Sequence, residues 1–229
     1  VYKRQQLEGE EMEVDYAGYS GGYRRRIELP ELQQRLLEKL HATGKPVVFV
    51  NLSGSAVAMP WAAEHLNAIV QAWYPGQAGG TAVADVLTGK YNPAGRLPVT
   101  FYRATEDLPD FEDYAMAGRT YRYFAGRALF PFGHGLSYSS FAYDELGLCQ
   151  IDPGAILVSL RVTNQSARAG DEVVQLYVRD RAPGVVRPLR SLRGVERVSL
   201  DAGAGATVTV RLGLDRHDAV LIPAGEGTP

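Results

Sequence analysis

The chain of 229 residues sets 24 Lys and Arg against 26 Asp and Glu, for a formal charge of −2, with 45% hydrophobic residues and a single cysteine. This balance gives no general attraction to nucleic acid or anionic lipid, and no apolar run approaches the roughly 18 residues that a membrane span needs. Cys149 has no intramolecular disulfide partner, so packing alone must hold the one large or two small domains that this length allows.

In chain order, Val1-Tyr2-Lys3-Arg4 shows neither an initiator Met nor a signal peptide, and Ile222 to Pro229 follows closely on a strand-like run. A piece cut from a longer protein is expected, short at both ends. Pro30 followed by Leu32, Leu36, Leu37 and Leu40 predicts an amphipathic helix that Gly44 ends. Val47 to Leu52 is a non-alternating apolar run, as in a strand of a parallel sheet buried on both faces. A short helix from about Trp61 to Leu66 and a strand from Ala68 to Trp73 come next. Then come the glycine loop Tyr74-Pro75-Gly76-Gln77-Ala78-Gly79-Gly80 and a helix from Thr81 to Leu87 closed by Gly89. Strand, glycine loop, helix is the α/β pattern, whose ligands gather at strand carboxyl ends.

From Tyr102 to Tyr138 the pattern gives way to an aromatic-rich connector without obvious periodicity, of the kind that serves as a functional loop or interdomain brace. Beyond it the period changes to two. Ile156, Val158, Leu160 and Val162 alternate with other residues, as do Val174, Leu176 and Val178, and Ala206, Val208, Val210 and Leu212. With turns at Asn164-Gln165-Ser166 and Ala202-Gly203-Ala204-Gly205, these strands predict an antiparallel sandwich of immunoglobulin or fibronectin type III kind. The fold class expected is α/β plus all-β, with a boundary near residue 140.

Candidate chemistry is sparse. His41, His65, His134 and His217 lack ligand spacing, so they are expected on the surface or in packing, with no metal and no cofactor. The Gly76 to Gly80 loop has neither the GK[ST] ending nor the GxGxxG spacing of phosphate loops, which disfavours a nucleotide-binding protein, and Ser53 and Ser55 do not form a GxSxG elbow. The arginines between Arg179 and Arg197 have Asp180 and Glu196 among them, as on a solvated or salt-bridged face. The acidic run Leu7-Glu8-Gly9-Glu10-Glu11-Met12-Glu13-Val14-Asp15 reads from charge alone as a solvated loop; the alternative is a general acid whose pKa is raised by neighbouring carboxylates.

Three stretches together resemble glycoside hydrolase family 3, the β-glucosidases and β-xylosidases. Ala72-Trp73-Tyr74-Pro75-Gly76-Gln77-Ala78-Gly79-Gly80, with Ala84 to Gly89 and Asn92-Pro93-Ala94-Gly95-Arg96-Leu97-Pro98-Val99-Thr100-Phe101, is similar to the C-terminal α/β-sandwich domain of that family. Gly118 to Phe124 with Leu129 to Tyr138 resembles the connector leading out of it, and Gly170 to Val178 with Pro188 to Gly194 its fibronectin type III-like module. The resemblance implies a partial α/β-sandwich domain over 1–101, the connector over 102–140 and a fibronectin type III-like β-sandwich, immunoglobulin-like in kind, over 141–229.

It also implies a retaining mechanism, in which an Asp nucleophile on an N-terminal TIM barrel forms a glycosyl-enzyme and a Glu from the α/β sandwich acts as acid, then base. The Leu7 to Met12 segment resembles the acid/base loop and puts Glu10 at the catalytic position, with Glu8 as second choice. Trp73 and Tyr74 are candidates for stacking on sugar. No stretch of the chain is a candidate barrel, so the isolated chain is expected to lack the nucleophile and to be inactive, with self-association through apolar surface where the barrel belongs. The implied partners are the TIM-barrel domain of the same enzyme and an oligosaccharide with terminal β-linked xylose, or glucose as second guess. An extracellular or periplasmic parent is favoured over a cytoplasmic one. A non-catalytic carbohydrate-binding or interaction module is the alternative.

Overall fold

The computed structural model of the chain describes residues 19–20, 23–110, 112–180, 187–213 and 219–222. These fall into two compact units interleaved along the sequence, one drawn from Val1–Gly80, Thr100–Asp113 and Gly126–Phe130, the other from Thr81–Val99, Tyr114–Ala125 and Pro131–Pro229. Among them no helix is long and apolar enough to cross a membrane.

In the first unit, β1 (Tyr19–Ser20) and β2 (Tyr23–Arg24) pair antiparallel, and α1 (Glu31–His41) follows. Pro30 stands at its N-cap, where a missing N–H costs nothing, Glu31 lies in the first turn and Lys39 and His41 in the last, each sign facing the favourable end of the helix dipole. Gly44, at φ 70°, donates its N–H to the His41 carbonyl at 3.0 Å and ends the helix as expected. The apolar stripe, however, is only partly used. Leu37 is buried, whereas Leu32, Leu36 and Leu40 are exposed.

β3 (Val48–Asn51), α2 (Pro60–His65) and β4 (Ala68–Gln71) then form a parallel pair joined by a short crossover helix, in the register Val48↔Ala68 to Asn51↔Gln71. The expectation that β3 is buried on both faces is not met, since Val48 and Leu52 are exposed. Among the described residues this sheet has two strands, too few to cover both the helix stripe and the strand's second face. β4 ends at Gln71, two residues before the predicted Trp73. The core here gathers Leu37, Val57, Ala58, Met59, Ala62 and Phe101. Glu28 bridges Ala58 in parallel and Phe101 bridges Phe130 in antiparallel fashion.

The helix α3 (Gly79–Leu87) follows the glycine loop, and Gly89 closes it at φ 75°. Within the aromatic connector the structure adds a 3-10 turn at Thr105–Asp107 and a short helix α4 (Thr120–Tyr123).

The second unit contains the sandwich. One antiparallel sheet has the order β5 (Phe141–Asp152), β6 (Ala155–Asn164), β9 (Gly205–Gly213); the other has β10 (Ala219–Ile222), β7 (Gly170–Asp180), β8 (Ser191–Leu200). The predicted alternation holds. Val162, Val174, Leu200 and Val208 form one buried cluster and Val158, Leu176 and Leu212 another, with Ile156, Leu160, Val178, Ala206 and Val210 packed against them. Asn164, fully buried, fixes the predicted turn by donating from Nδ2 to the Arg168 carbonyl at 2.7 Å and accepting at Oδ1 from the Ser166 N–H at 3.0 Å. Within this unit the connector packs by its rings, Tyr121 stacking on Phe132 at 4.1 Å and both meeting Tyr177 edge-on.

A buried polar group also belongs to this unit. Arg96 Nη2 donates to Glu172 Oε2 at 2.7 Å, and the Tyr143 hydroxyl donates to Glu172 Oε1 at 2.6 Å. Glu172 is 6% exposed, so both carboxylate oxygens are satisfied away from water. Burial, and then the hydrogen bond to Glu172, pushes the Tyr143 hydroxyl far above its ordinary range, so it remains a donor.

Candidate functional site

The carboxyl ends of β3 and β4 carry a cross-linked polar crest. Asn51 closes β3 and Gln71 closes β4, and the parallel register sets them side by side. Asn51 Nδ2 donates to Gln71 Oε1 at 2.6 Å and to Ser53 Oγ at 2.9 Å, while Gln71 Nε2 donates to the Ser53 carbonyl at 3.1 Å. Ser53 Oγ donates in turn to the Ser55 carbonyl at 2.9 Å, and the Ala72 N–H reaches the Asn51 carbonyl at the same distance. Two strand ends and the loops leaving them are thereby held as one rigid ledge.

The aromatic pair sits on that ledge. Trp73 adopts φ 55°, a left-handed conformation that is strained for a bulky residue and that clusters at functional positions. Its ring meets buried Phe101 edge-on at 6.2 Å, and Phe101 meets Phe130 at 6.3 Å, so the indole is anchored from below. Tyr74 is 56% exposed and its ring lies against Gly54, where an added Cβ would stand 2.4 Å from Cε2. Only glycine at 54 lets the phenol lie against the backbone and keep its other face open. Of the loop glycines, Gly79 is needed for close approach, since a Cβ there would fall 2.5 Å from Pro75 Cβ, whereas Gly76 and Gly80 have open space and negative φ.

The crest offers amides, a hydroxyl and aromatic rings, which can hydrogen-bond and stack but cannot serve as a general acid at neutral pH. A carboxylate must supply that step, and Glu10 and Glu8 lie outside the described residues. Glu28 is unsuited to it. Burial favours its neutral form, yet the Thr105 N–H donating to Oε1 and the Thr105 hydroxyl donating to Oε2, both at 2.7 Å, outweigh that and hold the carboxyl below its ordinary range.

Among the described residues no group of three or more His, Cys, Asp or Glu could hold a metal ion. The arginine-rich stretch is satisfied in part: Arg197 pairs with Asp171 and reaches Tyr91 Oη, and Arg190 lies over the Tyr177 ring at 5.4 Å. Of the residues at this crest, the sequence reading names Trp73 and Tyr74 as sugar-stacking candidates and does not name Asn51, Gln71 or Gly54. The available signal was polar side chains directly ending two apolar strand runs.

Comparison with known proteins places these features. A model of the Glycosyl hydrolase family 3 C-terminal domain matches residues 1–138, and one of the Fibronectin type III-like domain matches residues 172–220. A xylan 1,4-beta-xylosidase of Xylanibacter ruminicola is 53% identical over 207 residues, covering 90% of this chain and 24% of the relative. A periplasmic beta-glucosidase of Salmonella typhimurium is 36% identical over 84% of this chain and 27% of its own length. The chain thus spans about a quarter of the length of these curated relatives. Among solved structures, a β-glucosidase of Erythrobacter marinus superposes with a TM-score of 0.74 at 40% identity, over 86% of this chain and 27% of that one. Beta-glucosidase 3B of Thermotoga neapolitana, solved with alpha-D-glucose, gives 0.76 at 29% identity, over 84% and 30%.

Proposed function

Because the chain belongs to glycosyl hydrolase family 3, we propose that it is the C-terminal portion of a retaining, exo-acting β-glycosidase and supplies that enzyme's acid/base carboxylate. The observation that carries the reading is the 53% identity to a xylan 1,4-beta-xylosidase along 90% of this chain. The carboxylate is Glu10, with Glu8 as second choice. It protonates the leaving oxygen, then activates the water that releases the sugar, while an Asp on an N-terminal TIM barrel of the same enzyme is the nucleophile. Trp73 and Tyr74 contact the sugar chain on the ledge above β3 and β4, the exposed phenol face supplying an apolar platform. Terminal β-linked xylose is the first substrate and glucose the second, because relatives bearing both names match the chain. A secreted or periplasmic parent agrees with the periplasmic relative.

The test uses the parent enzyme and aryl glycosides. Glu10→Gln lowers kcat by about 10²–10⁴-fold on substrates with poor leaving groups, the range for losing a general acid, and azide restores turnover on activated ones. The same loss in Glu8→Gln, with Glu10→Gln near normal, reassigns the role to Glu8; loss in neither removes the acid/base reading from this segment. The 229-residue chain alone releases no nitrophenol from β-xyloside or β-glucoside. Glycan binding by that chain, surviving Glu10→Gln and lost in Tyr74→Ala, would favour the non-catalytic binding module, which the exposed Tyr74 ring also suits.

A further inference from the structure

His41 and His65, distant in sequence, meet in the first unit at the last residues of two helices. His41 ends α1 and His65 ends α2. Their ring centroids are 5.7 Å apart with planes at 83°, and Trp61 completes a triangle with them, stacked on His65 at 4.6 Å and edge-on to His41 at 5.7 Å. Both imidazoles are exposed. His65 Nδ1 is 2.9 Å from the Trp61 carbonyl oxygen, which can only accept. The proton of the neutral ring therefore sits on Nδ1, and the Nε2 lone pair is left for a ligand. A backbone carbonyl fixing one ring nitrogen so that the other can bind is the usual outer arrangement of a metal-ligating histidine.

We propose that His41 and His65 form a two-imidazole site for a borderline divalent transition-metal ion, Zn²⁺, Cu²⁺ or Ni²⁺, with water completing the coordination. Three points support it independently of the proposed glycosidase function. Zn–N bonds of about 2.0–2.1 Å at a tetrahedral angle put two ring centroids roughly 5 Å apart, a closure of about 0.7 Å from the 5.7 Å seen, made by rotation of the exposed His41 ring while His65 stays on its carbonyl. The C-terminal end of α1 carries the negative pole of the helix dipole, which favours a cation there. Imidazole nitrogen is the donor these ions select. Bound metal would clip the end of α1 to the end of α2, and by linkage raise the melting temperature of the unit that holds them.

The readout is built in, because Cu²⁺ or Ni²⁺ at His65 sits beside the indole stacked on it. The 229-residue chain without an affinity tag is titrated with CuSO₄ and, by calorimetry, with ZnCl₂. Saturable quenching of tryptophan emission at one ion per chain, reversed by EDTA, is expected, with at least about a tenfold loss of affinity in His41→Ala and in His65→Ala separately, beyond the effect of changing a supporting group. Trp61→Phe keeps the Zn²⁺ binding while losing the optical signal. Electron paramagnetic resonance of the Cu²⁺ form shows nitrogen coupling from two imidazoles, a readout that variant folding does not affect. Absence of saturable binding, binding unchanged in both histidine variants, or oxygen-only coupling overturns the proposal.

Discussion

The two compact units differ in how completely they bury what their sequence offers. The sandwich turns its alternating strands inward, and Val158, Val162, Val174, Leu176, Val208 and Leu212 are all buried. The α/β unit carries an equally regular apolar stripe on α1 but buries Leu37 alone of its four leucines. The same hydrophobic driving force gives a closed core in one and an open face in the other, because two facing sheets cover each other whereas a two-stranded parallel sheet covers little. Apolar periodicity in a sequence therefore reports a surface made to be covered, and the partner that covers it need not lie in the same stretch of chain. The sandwich closes a core between its two sheets, although Leu146, Leu148, Ile151 and Val195 on its strands remain exposed, and the α/β unit presents the ledge and the uncovered leucines of α1.

The sharpest way to break this contrast is to damage the scaffold where it is closed. Arg96→Met leaves Glu172 buried with a carboxylate oxygen unpaired, and removing one partner of such a pair costs about 3–5 kcal/mol. Urea denaturation should show the loss. Arg96→Met combined with Glu172→Leu should recover much of it, since the uncompensated charge is then gone. A loss well under 1 kcal/mol in the single variant would mean that water reaches Glu172 and that the sandwich unit is less closed than described.

The ledge responds differently. Gly54→Ala places a methyl group into the Tyr74 ring, which must swing away, and because that ring is largely exposed the cost in stability is about 1 kcal/mol or less. In the parent enzyme the change should raise KM for oligosaccharides more than for aryl monosaccharides, with kcat little altered, if Tyr74 supports the leaving part of the chain. Equal KM shifts on both substrates would reduce Tyr74 to a packing residue.

Acid separates the units by pH range. Glu28 and His134 both have folded pKa values below their ordinary ones, Glu28 through Thr105 winning over burial and His134 through burial and then the nearby Arg96 charge. In each case the unfolded chain binds more protons between the two values, so stability falls as pH falls. For His134, in the sandwich unit, the loss begins as pH drops through about 6.5; for Glu28, in the α/β unit, it begins near 4.5 and continues through the folded value. Melting curves of His134→Gln should be flatter as pH falls below about 6.5, and those of Glu28→Gln flatter as it falls below about 4.5. Interchange of the two effects would contradict the burial of His134.

The sequence made legible those elements whose period survives intact. β6 and β9 alternate without interruption, β7 does so up to the register shift between Leu176 and Tyr177, and α1 and α3 have glycines at their ends. β5 and β8 were missed for identifiable reasons. β5 shifts register between Asp144 and Gly147, with Glu145 at φ 53°, so its alternation changes phase midway; β8 puts Arg193, Glu196 and Arg197 among its few apolar residues. At the ledge, the aromatic pair stood out by composition, but the Asn51 to Gln71 bond depends on parallel register, which no local pattern encodes. The approach of His41 to His65 is hidden for the same reason, since it arises where two helices end and not from any ligand spacing.

The smallest expected effect tests the open face itself. Leu36 is exposed on α1, with Leu32 and Leu40 one turn to either side. Leu36→Gln changes a residue that is already in water and replaces one good helix former by another, so the stability of the 229-residue chain should move by no more than about 0.5 kcal/mol. Self-association should change far more, because a charge-free apolar stripe on one helix face is the kind of surface on which copies meet. Sedimentation of the chain over a concentration series is expected to show oligomers that the variant loses at equal melting temperature. If the variant instead loses 2 kcal/mol or more, the range for truncating buried leucines, Leu36 is covered within the chain and the contrast between a closed and an open unit fails.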